Sequence, residues 1–242
     1  MKIGAMFSKI WKVIFPENIK CAFCGKELFD KREVCVCEEC LSKLSKIENP
    51  CLKCGVEIDD LAQYCDICKN QKHSFTKAIA CFSFEEFERN IIYKLKYDDG
   101  KYLAKTLAHF MAEKLKAESL DIDIVVPVPL ATKRKKNRGY NQSELLAKEV
   151  CNLVGLKFEN DVVLKTKETS TQTSLGYRKR AENLKDSFKI CDKEKVKRKS
   201  VLVVDDVFTT GATANEITKQ LRTNGAKDVY VLTFCHTKFD KI

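Results

Sequence analysis

The first third of the chain contains four C-x-x-C pairs, and no other feature of the sequence restricts its fold as strongly. The eight cysteines are Cys21 and Cys24, Cys37 and Cys40, Cys51 and Cys54, and Cys65 and Cys68. Two intervening residues let both sulfurs of a tight turn face one ion, and the gaps of 12, 10 and 10 residues suit short hairpins. The pattern predicts two tetrahedral sites of four thiolates each, the arrangement that Zn²⁺ prefers.

The order in which the pairs share the two ions is not decided by spacing. We expect sequential ribbons, with the first two pairs in one site and the last two in the other, and Cys35 as a spare. An iron–sulfur cluster and redox dithiols are less favoured, because their cysteine spacings usually differ from this regular pairing. A closed four-cysteine site has no open coordination position, so both sites are expected to be structural. His73, which follows the last pair, is expected at the surface.

The composition favours a basic protein of a reducing compartment. Lys and Arg number 44 against 34 Asp and Glu, a formal charge of +10 that the zinc-bound thiolates would reduce but not cancel. Such an excess favours nucleic acid, phosphorylated small molecules or an anionic membrane surface as partners. Thirteen cysteines is an odd number, and their pairing indicates metal binding rather than the disulfides of a secreted protein.

Residues 1–20 carry apolar side chains at helical spacing, from Ile3 to Ile14. We expect a helix that packs on the rest of the protein, with a membrane-surface helix as the less favoured alternative. Lys9 and Lys12 interrupt the apolar stretch, which is also too short to span a bilayer. Neither a signal peptide nor stable membrane insertion is therefore expected.

Residues 75–242 alternate between short apolar runs and helical patterns. Strands are predicted at 76–84, 122–128, 161–165, 200–205 and 228–235, and helices at about 86–96, 101–117, 141–154 and 213–223. This alternation is typical of an α/β domain with a mainly parallel sheet flanked by helices. The chain is thus divided into an N-terminal helix at 1–20, a double zinc ribbon at 21–72 and an α/β domain at 75–242.

The stretch VLVVDDVFTTGAT, from Val201 to Thr213, places two carboxylates and a loop of small residues after an apolar strand. Asp205 and Asp206 are acceptors suited to a pair of sugar hydroxyls. The loop that follows can offer backbone N–H groups and hydroxyls to a phosphate at a helix N-terminus. A strand–turn–helix with an acidic turn and no ligand is the alternative, which this combination of features disfavours.

This stretch resembles the phosphoribosyl pyrophosphate signature of type I phosphoribosyltransferases. The other motifs are Lys94–Tyr97 (KLKY), Val126–Pro129 (VPVP), Arg138–Gln142 (RGYNQ), and Gln172, Arg180 and Asn183. Together with the cysteine pairs, they resemble the ComF family of competence proteins nearly end to end. The resemblance implies an α/β type I phosphoribosyltransferase fold with a small N-terminal zinc-ribbon domain of four-cysteine sites.

The resemblance also implies roles for individual residues. Asp205 and Asp206 become the catalytic pair that holds the ribose 2′ and 3′ hydroxyls, and Mg²⁺ arrives bridging the pyrophosphate. The residues implied to hold the 5′-phosphate are Thr209, Thr210, Gly211, Ala212 and Thr213. Val128 and Pro129 lead into the pyrophosphate-side loop, and residues 166–183 correspond to a mobile loop over the site.

Stabilising a pyrophosphate leaving group needs cations aimed at it. Arg134 and Arg138, in the basic run 133–138, and Arg180 are the candidates, with a solvated basic loop as an equal alternative for the run. In the oxopurine transferases an Asp stands where Thr209 stands here. Thr209 lacks that acid–base capacity, so a guanine or hypoxanthine salvage enzyme is not expected.

Three functions are compatible with these features. The first is a factor of natural transformation that binds single-stranded DNA in the cytoplasm or at the inner face of the membrane. Its protein partners would be competence helicase and recombination-mediator proteins, and it would also bind phosphoribosyl pyrophosphate or a nucleotide. Tyr140 and Tyr177 are candidates for stacking on DNA bases, or equally for packing inside the protein. The second is an active phosphoribosyltransferase with an unidentified nitrogenous acceptor, and the third is a sensor of phosphoribosyl pyrophosphate. We expect the first.

Overall fold

A five-stranded sheet of parallel strands organises the larger part of the chain. A computed structural model describes residues 20–29, 32–59, 61–167 and 184–238. The chain divides into two compact units, Met1–Leu44 and Ser45–Ile242. Apart from Lys20, the predicted N-terminal helix lies outside the described residues, as do Arg180 and Tyr177.

The secondary structure follows the predicted alternation. The described helices are α1 (Glu38–Ser42), α2 (Asp66–Asn70), α3 (Glu86–Tyr97), α4 (Leu103–Ala117), α5 (Thr132–Arg138), α6 (Gln142–Val154) and α7 (Ala212–Thr223). The described strands are β1 (Lys77–Ser83), β2 (Ile124–Pro127), β3 (Lys157–Phe158), β4 (Val163–Lys165), β5 (Phe188–Ile190), β6 (Ser200–Phe208) and β7 (Asp228–His236). None of these helices is both long and apolar enough to cross a membrane.

The strand order of the main sheet is β1-β7-β6-β2-β3, while β4 and β5 form a separate antiparallel pair. From β2 the chain passes through α6 to β3 on one side, and from β6 it passes through α7 to β7 on the other. The direction of winding therefore changes between β2 and β6, which pair in register from Ile124 opposite Val201 to Pro127 opposite Val204. Ligands of open α/β sheets bind at such a point, beyond the carboxyl ends of the strands.

The inner strands are apolar because both faces of the sheet are covered. Alternate residues of β2 and β6, such as Val126 and Val203, share one buried cluster with Ile217 and Leu221 of α7. The intervening residues point to the opposite face, since side chains alternate along a strand. The helices α4 and α6 pack against each other and against the sheet.

The chain from Ser45 to Gly55, which includes the Cys51–Cys54 turn, covers the β1 edge of this sheet. The Ala78 N–H donates to the Lys53 carbonyl at 2.8 Å, and the Ser83 N–H donates to the Ser45 carbonyl at 2.8 Å. A Cβ on Gly55 would lie 2.9 Å from the Ala78 carbonyl oxygen, so this turn sits directly on the strand. Exposed strand edges promote association with other chains, and these contacts cover the edge of β1.

The basic run after β2 differs from the predicted loop. Thr132–Arg138 form the short helix α5, which ends where Gly139 takes a φ of 79° and donates its N–H to the Lys135 carbonyl. A left-handed residue at this position closes a helix at little steric cost only when it is glycine. The helix turns Arg134 and Arg138 to half-buried positions, while Lys135 and Lys136 stay exposed.

Candidate functional site

Three residues connect β6 to α7, and their path requires glycine at the last position. Gly211 precedes α7 with a φ of +74°. A Cβ there would lie 2.7 Å from Cζ of Phe208 and 3.6 Å from Cε1 of His73. Any larger residue would be strained in its backbone and would also collide with the Phe208 ring. The turn therefore keeps the N-terminus of α7 close to the carboxyl ends of β2 and β6.

The two carboxylates of β6 are held by side chains from the start of α6. Asp205 Oδ1 accepts hydrogen bonds from Ser143 Oγ at 2.6 Å and from the Asp206 N–H at 2.9 Å. Asp206 Oδ1 accepts from Gln142 Nε2 at 3.2 Å, and its Oδ2 lies 2.5 Å from Nζ of Lys96. Asp206 is 4% exposed, so this lysine compensates a carboxylate that water barely reaches.

The two neighbouring carboxylates differ in their readiness to ionise. Burial, with repulsion from Asp206, raises the pKa of Asp205 from 3.8 to about 8. Burial also opposes ionisation of Asp206, but attraction to Lys96 and the hydrogen bonds outweigh it and lower the pKa of Asp206. The pair therefore holds one carboxylate charged beside one that retains its proton more readily.

The segment 138–143 links these carboxylates to the loop after β2. Asn141 Oδ1 accepts from the Ser143 N–H at 3.1 Å and so begins α6, while Asn141 Nδ2 donates to the Val128 carbonyl at 2.9 Å. Tyr140 is buried, and its hydroxyl donates to the Leu95 carbonyl at 2.5 Å. Of the two roles considered for Tyr140, packing is therefore the one observed, because the residue is 9% exposed.

Seven of the twelve predicted binding residues line one of two cavities. Val128, Asp205, Thr209, Gly211 and Thr213 surround a small cavity of about 30 Å³ beneath the loop. Thr210 and Ala212 are buried at the base of the same turn, where Thr210 Oγ1 accepts from the Ala212 N–H at 3.4 Å.

The second cavity measures about 390 Å³, and Lys96, Arg134 and Arg138 contribute to its lining. Arg138 Nη1 donates to Gln142 Oε1, and Gln142 in turn donates to Asp206, so a chain of hydrogen bonds joins this cavity to the carboxylates. Pro129 is half-buried between Val128, which lines the first cavity, and Leu130, which lines the second. The arrangement places positive charge beside the acidic pair.

Both predicted four-cysteine groups are present, in the sequential order expected. The Sγ atoms of Cys21, Cys24, Cys37 and Cys40 lie within 4.8 Å of one another, and so do those of Cys51, Cys54, Cys65 and Cys68. Cys35 belongs to neither group. Gly25 and Gly55, which follow the first and third pairs, have φ of 78° and 76°, as the tight turns require. Four sulfurs at this separation fit one tetrahedral metal ion and suit zinc.

The second group is part of the core of the larger unit. Cys51 and Cys54 belong to the buried cluster that contains Phe75, Phe208 at the end of β6 and Ala214 of α7. His73 was expected at the surface, but this expectation is wrong, because its ring stacks on Phe75 at 4.8 Å and is 7% exposed. Its Nδ1 lies 3.0 Å from Nδ2 of Asn215 on α7, so His73 supports the loop.

Sequence reasoning missed Lys96, Gln142 and Ser143 as functional residues. Lys96 and Gln142 lie in the motifs KLKY and RGYNQ, which carried the family resemblance, but these two residues were themselves assigned no role. Their contact with the carboxylates depends on long-range packing, and Gln142 and Asp206 are 64 residues apart in sequence. The two motifs were the available signal for these residues. The order of the strands in the sheet then explains why Lys96 and Gln142 reach the carboxylates.

The fold and site define a phosphoribosyltransferase-type protein: the phosphoribosyl transferase domain family matches residues 97–241. Competence protein F of Haemophilus influenzae is 30% identical over 220 residues, covering 88% of this chain and 95% of that protein. Competence protein ComFC of Streptococcus pneumoniae is 30% identical over 226 residues, covering 87% and 97%. DNA utilization protein YhgH of Escherichia coli (strain K12) is 28% identical over 207 residues, covering 84% and 90%. The chain belongs to the ComF family of competence proteins, and its α/β domain has the type I phosphoribosyltransferase fold.

Proposed function

We propose that this protein acts in DNA uptake and binds phosphoribosyl pyrophosphate, or a related phosphorylated ribose, at the carboxyl ends of β2 and β6. The observation that carries the proposal is the acidic pair Asp205 and Asp206 beside the Gly211 turn, at the point where the sheet changes direction. Asp205 and Asp206 accept hydrogen bonds from the ribose 2′ and 3′ hydroxyls. The backbone and hydroxyls of residues 209–213 hold the 5′-phosphate.

Positive charge on the other side of the acidic pair supports a ligand with a second phosphorylated group. Lys96, Arg134 and Arg138 line the 390 Å³ cavity that adjoins Asp206. These side chains bind the pyrophosphate and compensate its charge, and Mg²⁺ bound with it supplies further charge neutralisation. Arg180 remains a proposed ligand of the pyrophosphate by resemblance.

Zinc is proposed in both four-cysteine groups as a structural ion. Each group provides four thiolates and no open position, which fits a folding role and no chemistry at the metal. For the DNA partner, the support is the basic composition together with relatives named as competence and DNA utilization proteins. We place the protein on the cytoplasmic side, with competence helicase and recombination-mediator proteins as partners.

The test is calorimetric titration of phosphoribosyl pyrophosphate and Mg²⁺ into the zinc-loaded protein, beside the Asp205→Ala/Asp206→Ala double variant. We expect the wild type to bind and the variant to lose at least about tenfold in affinity, since hydrogen bonds to charged groups are among the stronger ones. An Asp121→Ala variant removes an exposed carboxylate before β2 and serves as the matched control. No binding by the wild type would refute the ribose site.

A second candidate function is transfer of phosphoribose to a nitrogenous acceptor. It is favoured by the cations around the 390 Å³ cavity, which are placed to stabilise a departing pyrophosphate as well as a bound one. The reaction would break the bond from C1 of the ribose to the pyrophosphate and form a bond from C1 to nitrogen. Release of pyrophosphate in the presence of candidate bases, absent in the double variant, separates turnover from binding alone.

A further inference from the structure

Two tyrosines project from the exposed face of α3, beside the larger cavity. Tyr93 is 57% exposed and Tyr97 is 62% exposed, although Ile91, Ile92 and Leu95 of the same helix are buried. They are four positions apart and therefore neighbours on the helix surface. Their ring centroids lie 5.0 Å apart at an interplanar angle of 43°. The pair forms an aromatic surface that remains more than half exposed among the residues that the structure describes.

Cations border this aromatic surface. The guanidinium of Arg138 lies over the Tyr97 ring, 5.0 Å from its centroid. Tyr97 also lines the 390 Å³ cavity together with Arg134 and Lys96. The acidic residues nearest in sequence to Tyr97 are Asp98 and Asp99, which directly follow the end of α3 and are both exposed. Aromatic faces next to arginines are the combination by which proteins bind single strands without reading their sequence.

We propose that Tyr93, Tyr97, Arg134 and Arg138 form a stacking surface for single-stranded DNA. This inference rests on the proposed function, since it identifies where the DNA strand binds in relation to the ribose site. An unpaired base stacks on the tyrosine rings, and the phosphates beside it contact the two arginines. A duplex does not fit this role, because its bases are already stacked on one another and do not expose a face.

The surface also lies close to the phosphoribosyl site. Arg138 donates a hydrogen bond to Gln142, and Gln142 donates to Asp206. A base stacked on Tyr97 would therefore be separated from the ribose carboxylate only by these two side chains. The two ligands share Arg134 and Arg138 but differ in their other contacts: the tyrosine rings take the base, and the carboxylates take the ribose hydroxyls. Variants of the tyrosines can thus separate the two activities.

The experiment is fluorescence anisotropy with a labelled oligothymidine of about 20 nucleotides, titrated with the full-length, zinc-loaded protein. Three variants are compared with the wild type: Tyr93→Ala/Tyr97→Ala, Tyr93→Phe/Tyr97→Phe and Tyr64→Ala. The phenylalanine variant keeps both ring faces and removes only the hydroxyls. Tyr64 is 42% exposed in the second ribbon and is the matched control for loss of a surface tyrosine.

We expect the alanine variant to lose roughly tenfold or more in affinity, while the phenylalanine and Tyr64→Ala variants stay within about twofold of the wild type. Failure of the wild type to bind, or wild-type affinity in the alanine variant, would overturn the stacking surface. If the alanine pair fails to fold by circular dichroism, the single Tyr97→Ala variant is held to the same criterion.

Calorimetry with phosphoribosyl pyrophosphate on the same proteins distinguishes this inference from the proposed function. The single Tyr93→Ala variant is expected to bind that ligand like the wild type, because Tyr97, and not Tyr93, lines the cavity proposed for the pyrophosphate. If no protein binds phosphoribosyl pyrophosphate but DNA binding still depends on the tyrosines, the ribose site fails and the stacking surface stands. Preference for an RNA strand of the same length over DNA would contradict the DNA assignment.

Discussion

Nζ of Lys96 lies 2.5 Å from Oδ2 of Asp206, and this ion pair joins the end of α3 to the carboxyl end of β6. The lysine side chain is 25% exposed and the carboxylate side chain 5%, so the pair is largely removed from water. It keeps a negative charge at the site where a ribose hydroxyl is proposed to donate, and it places a positive charge where pyrophosphate is proposed to lie.

Replacing Lys96 with Met leaves the buried charge of Asp206 without its cation. We expect the free energy of unfolding at neutral pH to fall by about 3 kcal/mol, because an uncompensated buried charge is costly. The low pKa of Asp206 adds stability above the ordinary carboxyl pKa, and this stability is lost as pH falls through the lowered pKa. The deficit of the variant should therefore shrink in acid.

Chemical denaturation of Lys96→Met at several pH values checks this prediction. Lys136→Met on α5 removes an exposed lysine and should leave stability unchanged. A deficit that stays the same from neutral to strongly acid pH would show that the charge of Asp206 is not the cause.

Substituting Gly211 with Ala should disrupt the turn between β6 and α7 that is proposed to hold the 5′-phosphate. The φ of +74° costs an L residue about 1–2 kcal/mol, and the Cβ would also collide with the Phe208 ring at 2.7 Å. Gly155 at the end of α6 has a φ of +75° but open space for a Cβ, so Gly155→Ala carries the backbone strain alone.

Chemical denaturation and ligand titration of Gly211→Ala and Gly155→Ala distinguish the cost of backbone strain from the cost of the collision with Phe208. Gly211→Ala should be the less stable of the two, and only Gly211→Ala should lose affinity for phosphoribosyl pyrophosphate. Equal stability together with unchanged ligand binding would be incompatible with the packed turn described here.

The raised pKa of Asp205 predicts a specific pH dependence of stability. The folded protein retains a proton on Asp205 up to about pH 8, whereas the unfolded chain loses it near 3.8. The contribution of Asp205 to stability is therefore greatest below its unfolded pKa and declines as pH rises to about 8. Asp205→Asn cannot ionise and should lack this decline.

Thermal unfolding of the wild type and Asp205→Asn between about pH 5 and about pH 9 tests the point. The two profiles should separate steadily up to about pH 8 and run parallel above it, with Asp121→Asn following the wild type. Parallel profiles would mean that Asp205 ionises in the folded protein at its ordinary pKa.

Loss of metal from the second four-cysteine group should weaken ligand binding at the proposed ribose site. Cys51 shares a buried cluster with Phe75, Phe208 and Ala214, so Cys51→Ser is expected to lower the unfolding temperature by roughly 5 °C or more and to weaken binding of phosphoribosyl pyrophosphate. Cys21→Ser is the matched variant, because Cys21 is equally buried and belongs to the first group.

Zinc analysis, thermal unfolding and ligand titration of the two serine variants give the readout. We expect each variant to lose zinc and Cys51→Ser to lose more affinity than Cys21→Ser. If a Cys51→Ser protein that has lost its metal binds phosphoribosyl pyrophosphate with unchanged affinity, the second four-cysteine group does not support the loop at residues 209–213.

The parts of this protein that depend on nearby residues were predictable from the sequence. A C-x-x-C turn and the strand–turn–helix from Val201 to Thr213 are each built by residues a few positions apart, so their patterns revealed them. The run 133–138 was predicted as a loop and is a short helix that ends at Gly139, a local stop signal that the prediction did not use.

The sequence by itself therefore determined the two four-cysteine groups, the alternation of strands and helices, and the acidic pair before the Gly211 turn. Only the tertiary structure decided which side chains reach that pair. Lys96, Gln142 and Ser143 meet Asp205 and Asp206 because β2 pairs with β6 and α6 begins beside both strands. The tertiary structure likewise buried His73 and left Tyr93 and Tyr97 exposed, since burial depends on the packing of distant segments and no local pattern encodes it.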